Sequence, residues 1–565
     1  MQDFWDADSG SSFDVLDSVP VRVANEPRCL SLALLLQAFI MVCQHTPNRE
    51  ESMKEDANPL KRIEHIVVVM LENRSFDSLL GWLYDPANEA PFDIVPSDFE
   101  GLSGKRLSNP DVSGKEVPAG KTLDPRSPQP NPGEPFEDVY SQIYDVPLMP
   151  FSEVPAVPTK AATMRGFIRN YADQKHKPID PSTIMQSLTP QTVPVFSALA
   201  HNFALCDHWF ASIPTQTFCN RSFVHAGTSS GYVNNNGGGL CFVNETPTIF
   251  DLLEEAGRTW QVFAGGWLLQ SFTLLTQKSM WKYAFTKHFA HFNDFLRAAG
   301  RSNGLPNYSF IEPVYFDSMV WGPENDMHPE CNPYEFYGPS NLHRGEALLA
   351  TVYNALRKSP DWESTLLVII FDEHGGCYDH VSPPTSDNCK VAINPDDKVI
   401  ERGELGGIGF RFDRLGPRVP AIVVSAYTAA QTRLHDLFEH TSILSTVVNC
   451  FNLPKGRLGA RQSIVLNLGG ALNMTTPRGS YPFIEAPHYS LYEDLKTEFR
   501  STAHSRPAET GPTPVSDLQK VALHAMALFT NANDLHAPIE NLTGELEAGL
   551  LLAKYEAELL KHKLS

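Results

Sequence analysis

Ile66-Val67-Val68-Val69-Met70-Leu71-Glu72-Asn73-Arg74-Ser75-Phe76-Asp77 sets an apolar run directly against an acid and an amide. A second run, Leu366 to Phe371, ends the same way at Asp372-Glu373-His374-Gly375-Gly376. Short, continuous β-branched runs bounded by turn residues read as strands buried on both faces, as in a parallel sheet. Ligand crevices in open α/β sheets lie at the carboxyl ends of such strands, so two distant endings can meet in one site. The carboxylates of Glu72, Asp372 and Glu373 and the amide oxygen of Asn73 would then form an oxygen-rich pocket for a divalent cation. Taken singly, an acid after a strand is more often a turn or a helix cap. Its repetition is what favours a site.

Outward from these runs, strand-like and helix-like patterns alternate from Ile63 onward. This predicts an α/β fold with a central, mostly parallel sheet flanked by helices. Further strands are expected at 260–264, 308–311 and 419–425. Asn341 can cap a helix that places Leu342, Leu348, Leu349, Val352, Tyr353 and Leu356 on one face before Pro360 stops it. A second apolar helix is expected at 441–451. Residues 86–158 are rich in Pro, Gly, Asp and Ser and read as a long excursion over the surface. Residues 500–514 are a polar connection, and 515–564 carry the spacing of packed helices. The expected organisation is an N-terminal extension at 1–58, poorly ordered, a catalytic domain at 59–499, and a linker with a helical C-terminal extension at 500–565.

Composition narrows the function. The chain has 565 residues, 42% of them hydrophobic, enough for a substantial core. Its 66 acidic and 45 basic residues give a net charge of -21, which works against nucleic acid as a partner while leaving room for a local phosphate pocket. Nine cysteines occur without Cys-x-x-Cys spacing, so buried or free thiols are expected. Residues 29–43 are almost wholly apolar, but Gln37 interrupts them and they fall short of the roughly 20 residues a spanning helix needs. The segment before them lacks the compact basic start of a signal peptide. A soluble protein is expected, cytoplasmic rather than secreted.

A nucleophile is needed next. Asp-His-Trp-Phe-Ala-Ser-Ile-Pro-Thr-Gln-Thr-Phe-Cys-Asn-Arg-Ser-Phe, at 207–223, leads from aromatic residues into what reads as a helix start. A hydroxyl there sits where backbone N–H groups favour anions, and Thr217 is well placed for attack. The plainer reading is that Thr215 or Thr217 merely caps the helix.

Four elements in order carry a resemblance. Glu-Asn-Arg-Ser-Phe-Asp at 72–77, Asn220-Arg221 with His225 and Gly227-Thr228-Ser229, Asn325-Asp326-Met327-His328-Pro329, and Asp-Glu-His-Gly-Gly-Cys-Tyr-Asp-His at 372–380 resemble the phosphoesterase family. That family includes bacterial and plant non-specific phospholipases C and a class of bacterial acid phosphatases. The likeness runs from about Ile63 to Leu453.

The resemblance implies an alkaline-phosphatase-like fold and one divalent metal ion held by Glu72, Asn73, Asp372, Glu373 and the oxygen of Thr217. Thr217 would attack phosphorus, an alcohol would leave, and water would hydrolyse the phosphothreonine. His328 is the implied phosphate contact or leaving-group acid, with His374, His380 and His440 as weaker candidates. Asn220, Arg221 and Glu312 would lie near the substrate, Glu312 as a supporting partner. Two positions depart from the pattern. Glu134, in Asn131-Pro132-Gly133-Glu134-Pro135-Phe136, stands where many relatives have His, and an ionised carboxylate cannot donate to phosphate. Cys219 stands where relatives usually have Pro. The expected activity is hydrolysis of phosphoric esters, of the phospholipase C type on a phospholipid with transient membrane-surface contact. The alternatives are an acid phosphatase acting on phosphomonoesters and a non-catalytic phospholipid-binding protein.

Overall fold

The computed structural model describes residues 58–487 other than 93–97, 176, 237–241, 267–269, 317–321, 330–339, 397 and 405, together with 520, 523, 524 and 551. In chain order its strands are β1 (His65–Leu71), β2 (Ser108–Pro110), β3 (Glu116–Pro118), β4 (Gly120–Thr122), β5 (Gln186–Leu188), β6 (Ala204–Cys206) and β7 (Trp209–Phe210). They continue with β8 (Trp260–Ala264), β9 (Phe289–His291), β10 (Tyr308–Glu312), β11 (Thr365–Phe371), β12 (Ala421–Ser425), β13 (Thr432–Leu434) and β14 (Phe438–Glu439).

The two apolar runs are neighbours. All seven residues of β1 and all seven of β11 are buried, and the strands pair in parallel from His65 with Thr365 to Leu71 with Phe371. Asp372 N continues the ladder by donating to Leu71 O at 3.2 Å. Glu72 and Asp372 therefore leave the sheet side by side. On the other flank of β1, β10 is also parallel and ends at Glu312. The described main sheet has eight strands in the order β13-β6-β12-β11-β1-β10-β8-β9. Five neighbours, β11 to β9, are parallel, and β12 runs antiparallel between β11 and β6. This is the mostly parallel α/β sheet expected.

The strand expected at 419–425 begins two residues late. Val419 N is spent on Trp209 O, and Pro420 has no N–H to give the ladder. The helices Leu342–Leu356, capped by Asn341, and Thr441–Phe451 lie where the sequence puts them.

The excursion at 86–158 needs correction. Its later part is not a surface loop, because the helix Phe136–Tyr144 is buried at every residue except Glu137. Phe136, Val139, Tyr140, Ile143 and Tyr144 follow the i, i+3, i+4, i+7, i+8 spacing of one helical face. They join Phe167, Phe218, Phe272 and Tyr315 in a second hydrophobic cluster beside the one around the sheet. The Pro- and Gly-rich flanks hide that short amphipathic pattern.

The extension at 1–57 and nearly all of 488–565 lie outside the described residues, though Leu523 packs into the second cluster. Cys206, Cys219, Cys377, Cys389 and Cys450, the cysteines among the described residues, are free thiols as expected. No helix among the described residues is long and apolar enough to cross a membrane.

Candidate active site

Backbone conformation brings the two acidic endings together. Asn73 takes φ +58° and donates its N–H to Asp372 Oδ1 at 3.1 Å, an oxygen that also accepts from Glu373 N at 2.8 Å. Gly375 and Gly376 have φ of +63° and +64°. A Cβ on Gly375 would lie 2.1 Å from Asn73 O, and one on Gly376 would lie 2.4 Å from Gly133 O. Only glycine lets the turn after β11 touch both the turn after β1 and the segment carrying Glu134.

A third connection closes over these ends. Glu72 N donates to Asp326 O at 2.8 Å, and Arg74 Nε donates to Met327 O at 2.7 Å. His328 follows, its N–H on Asp326 Oδ1 at 2.9 Å and its Nδ1 donating to the Pro329 carbonyl. His328 Nε2 lies 3.7 Å from Glu134 Oε2, while Asn73 Nδ2 donates to the same carboxylate. Glu72, Asn73, Glu134, Asp326, His328, Asp372 and Glu373 thus converge in one buried place.

The helix Thr217–Ala226 faces this cluster and is wholly buried. Neither threonine caps it. Thr215 Oγ1 donates to Val233 O, the free N–H of Phe218 goes to Asn235 Oδ1, and Thr217 Oγ1 has no hydrogen-bond partner. Asn220 accepts from Ile213 N and donates to Thr215 O at 2.7 Å, so it braces the turn that delivers Thr217. One helical turn after Thr217, Arg221 reaches Glu72 Oε1 at 3.0 Å, Asp372 Oδ2 at 3.2 Å and the Tyr315 hydroxyl at 2.7 Å. Burial works against its charge, but Tyr315, Asp372, Glu72 and Glu312 outweigh burial and hold its pKa above the usual arginine range. Committed to these partners, the guanidinium organises the acids.

Even so, the acids outnumber their counter-charges. Burial first, and then the charge of Asp372, push Glu72 well above the carboxylate range despite Arg221. Burial, Glu134 and Asp372 do the same to Glu373. Burial raises Asp326 to about 6. Glu72 Oε2, Asn73 Oδ1, Thr217 Oγ1 and Glu373 Oε1 are buried without a hydrogen-bond partner among the described residues, and Glu72 Oε1 has its ion pair with Arg221. Close carboxylates with orphaned oxygens are what a cation would relieve, and an all-oxygen donor set suits a hard divalent ion. The residues present fit such an ion. Asp372 has the least to offer it, since two N–H groups occupy Oδ1 and Arg221 occupies one side of Oδ2.

The histidines separate. His328 borders the acids, whereas His374 is buried with its pKa lowered to about 3 by burial. Its Nε2 lies 2.8 Å from Gln142 Oε1, whose amide nitrogen is spent on Gly133 O and Asn170, so the imidazole donates to Gln142. With its single proton committed to Gln142, His374 has none free for a leaving group, and its bare Nδ1 lies 3.2 Å from Glu373 Oε2. His440 is likewise neutral, lowered to about 3 by burial, accepting from Trp209 Nε1 and donating to Asp372 O at 2.6 Å. His380 lies in a separate network, where Arg418 joins the buried Asp77 and Asp379 at 3.0 Å each and His380 Nδ1 sits 2.6 Å from Asp77. Glu312 accepts from Ser271 and Thr273 behind Arg221.

Three partners escape the sequence reading. Asp326 stands inside a quoted motif, next but one to His328, and its acidity was the available signal. Tyr315 and Gln142 had none, since each becomes meaningful only through a partner distant in sequence.

The phosphoesterase family matches residues 63–454 of this chain. Non-specific phospholipase C3 of Arabidopsis thaliana is 34% identical over 448 residues, covering 77% of this chain and 78% of the relative. Non-specific phospholipase C5 of the same plant is 34% identical, covering 74% and 76%. Phospholipase C A of Mycobacterium tuberculosis is 28% identical, covering 74% and 79%. Among solved structures, a protein in the alkaline phosphatase superfamily from Vibrio parahaemolyticus aligns at 12% identity and a TM-score of 0.26, covering 51% of this chain and 64% of that one.

Proposed function

Because this chain belongs to the phosphoesterase family and is a phosphoric ester hydrolase, we propose that it cleaves the phosphodiester of a phospholipid in the manner of a phospholipase C, with Thr217 as nucleophile. The observation that carries this reading is the placing of Thr217 and Arg221 one turn apart on a buried helix. The hydroxyl oxygen has no hydrogen-bond partner, and the guanidinium grips the acids at the ends of β1 and β11. Nucleophile and anionic cluster are thereby fixed to one rigid element.

Glu72, Asn73, Glu373 and Thr217 would hold a divalent ion, with the remaining side of Asp372 Oδ2. Bound there, the ion would supply positive charge that lowers the pKa of the threonine hydroxyl and offsets charge on the phosphate oxygens. Thr217 Oγ1 gives up its proton to solvent and forms the new bond to phosphorus as the bond to the diacylglycerol oxygen breaks. His328 gives that oxygen its proton. Water then cleaves the phosphothreonine, releasing the phosphorylated headgroup and restoring Thr217. Glu134, beside His328, bears on which headgroup is accepted. Such a substrate brings the protein into transient contact with a lipid surface.

The test is turnover of phosphatidylcholine, a soluble phosphodiester and a phosphomonoester by purified protein supplied with defined divalent ions, alongside Thr217→Ala. Release of phosphocholine by the wild type alone is the expected result. Turnover of the monoester only would make the protein an acid phosphatase, and equal rates for the variant would remove Thr217 from the reaction.

A further inference from the structure

Two more strand ends carry metal-binding side chains that the proposed reaction does not use. β6 and β13 are parallel, with Leu434 opposite Cys206, so Asp207-His208 and His435 leave the sheet next to each other. β12 is antiparallel to both β11 and β6, which makes β6 and β13 run the same way as β1. Their carboxyl ends therefore lie along the same edge of the sheet as Glu72 and Asp372.

Asp207 is completely buried, yet neither carboxylate oxygen makes a hydrogen bond. Oδ1 is 3.2 Å from His208 Nδ1, and Oδ2 is 2.9 Å from His435 Nδ1. His208 Nδ1 also lacks a hydrogen-bond partner. The three ligand atoms lie within 4.8 Å of one another without being aimed at one another, as atoms converging on a common point do. The far nitrogen of His435, Nε2, is 2.7 Å from Asp98 Oδ2. An ionised carboxylate only accepts, so Nε2 carries a proton towards Asp98, while Nδ1 lies 2.9 Å from Asp207 Oδ2 with no hydrogen bond between them. A cation bridging Nδ1 and the buried carboxylate would satisfy both. Among the described residues no lysine or arginine forms an ion pair with Asp207, while Arg433 pairs with Asp98 instead. A carboxylate behind the remote nitrogen is also the usual outer partner of a metal-bound imidazole.

We propose that Asp207, His208 and His435 bind a zinc-like divalent cation, with Asp98 orienting His435. Two imidazole nitrogens and a carboxylate suit zinc better than calcium or magnesium, and three protein ligands leave a fourth position for water. The cation would act as a clip. Directly beyond it β7 and β14 pair, Trp209 with Phe438 and Phe210 with Glu439, and the next residue, His440, donates to Asp372 O. Fastening the root of this ladder steadies the contact that holds Asp372.

The experiment loads chelator-stripped full chain with a small excess of Zn2+ and removes unbound ion. Bound zinc is measured by atomic spectrometry, and its ligands by X-ray absorption. Wild type should hold about one equivalent more than a His208→Gln/His435→Gln double variant and show imidazole scattering that the variant lacks. Both side chains are about a third exposed, 31% and 36%, so the replacements are tolerated, which circular dichroism checks. Asp98→Asn keeps all three ligands and should weaken binding about 10- to 100-fold. Equal zinc content in wild type and double variant, or a wild-type zinc shell without imidazole, overturns the proposal. Neither readout uses turnover, so failure here is distinct from failure of the phospholipase reading.

Discussion

Arg221 and Glu72 meet at 3.0 Å with both side chains only 1% exposed, and the same guanidinium joins Asp372 from the neighbouring strand. Arg221→Met keeps the length but leaves two buried acids without their cation. Breaking one partner of a buried pair costs about 3–5 kcal/mol, because the partner's charge stays uncompensated. Arg221→Lys should recover only part of this, since a single ammonium cannot span Glu72, Asp372 and Tyr315 together. Urea unfolding checks both variants, and a Met variant within about 1 kcal/mol of wild type contradicts the role.

Thr217 should behave in the opposite way. Its hydroxyl lacks a hydrogen-bond partner, so Thr217→Ala gives up no hydrogen bond and should unfold within about 1 kcal/mol of wild type. Activity should nevertheless vanish. A variant that loses stability and activity in proportion would indicate a structural threonine instead.

Glycine variants separate strain from collision. Gly257→Ala, at φ +66° with nothing near its Cβ, should cost only the roughly 1–2 kcal/mol of the left-handed conformation. Gly375→Ala adds a methyl 2.1 Å from Asn73 O and must displace that turn. It should destabilise more and also abolish turnover. Thermal melts and assays of the two variants test the contrast, which fails if both lose the same stability and activity.

Removal of divalent ions should lower the melting temperature and stop turnover, because buried Glu72 then faces the charge of Asp372, and buried Glu373 those of Glu134 and Asp372, with no ion among them. Restoring a hard cation should raise stability with the logarithm of its concentration, by about 2.7 kcal/mol at a hundredfold excess over Kd. In Glu72→Gln the concentration needed should shift upward. Melting curves that ignore both chelator and added ion would count against the oxygen site.

His225 predicts a pH dependence. Burial, reinforced by Arg221, lowers its pKa from 6.5 to about 3. The unfolded chain therefore takes up a proton that the folded chain refuses. The stability from keeping this ring neutral is fully present above about pH 6.5 and is lost as pH falls toward 3, with a limiting slope of about 1.4 kcal/mol per unit. His225→Phe, in a ring pocket shared with Phe250 and Phe310, should flatten the curve by that slope. Parallel wild-type and variant curves would show that His225 does not titrate this way.

Much of this architecture is legible without coordinates because β1 and β11 are uniform apolar runs, and uniform burial requires a parallel sheet covered on both faces. Their acids could be assigned to one site for the same reason. The helix Phe136–Tyr144 was equally well patterned, but nine residues among prolines and glycines carry little weight against their surroundings. His374 and Arg221 show a different limit. Residue type announces that they can donate, whereas whether the donor is already spent depends on Gln142, Tyr315 and the main chain around them.

The unbroken pairing from His65–Thr365 to Leu71–Phe371 has a consequence for how such a chain can diverge. A residue gained or lost within either strand would turn Glu72 or Asp372 to the opposite face of the sheet. Gains and losses elsewhere, between β1 and the helix of Thr217 for instance, leave the spacing of those acids untouched. Such changes in connecting segments leave the paired acids, and the chemistry built on them, in place.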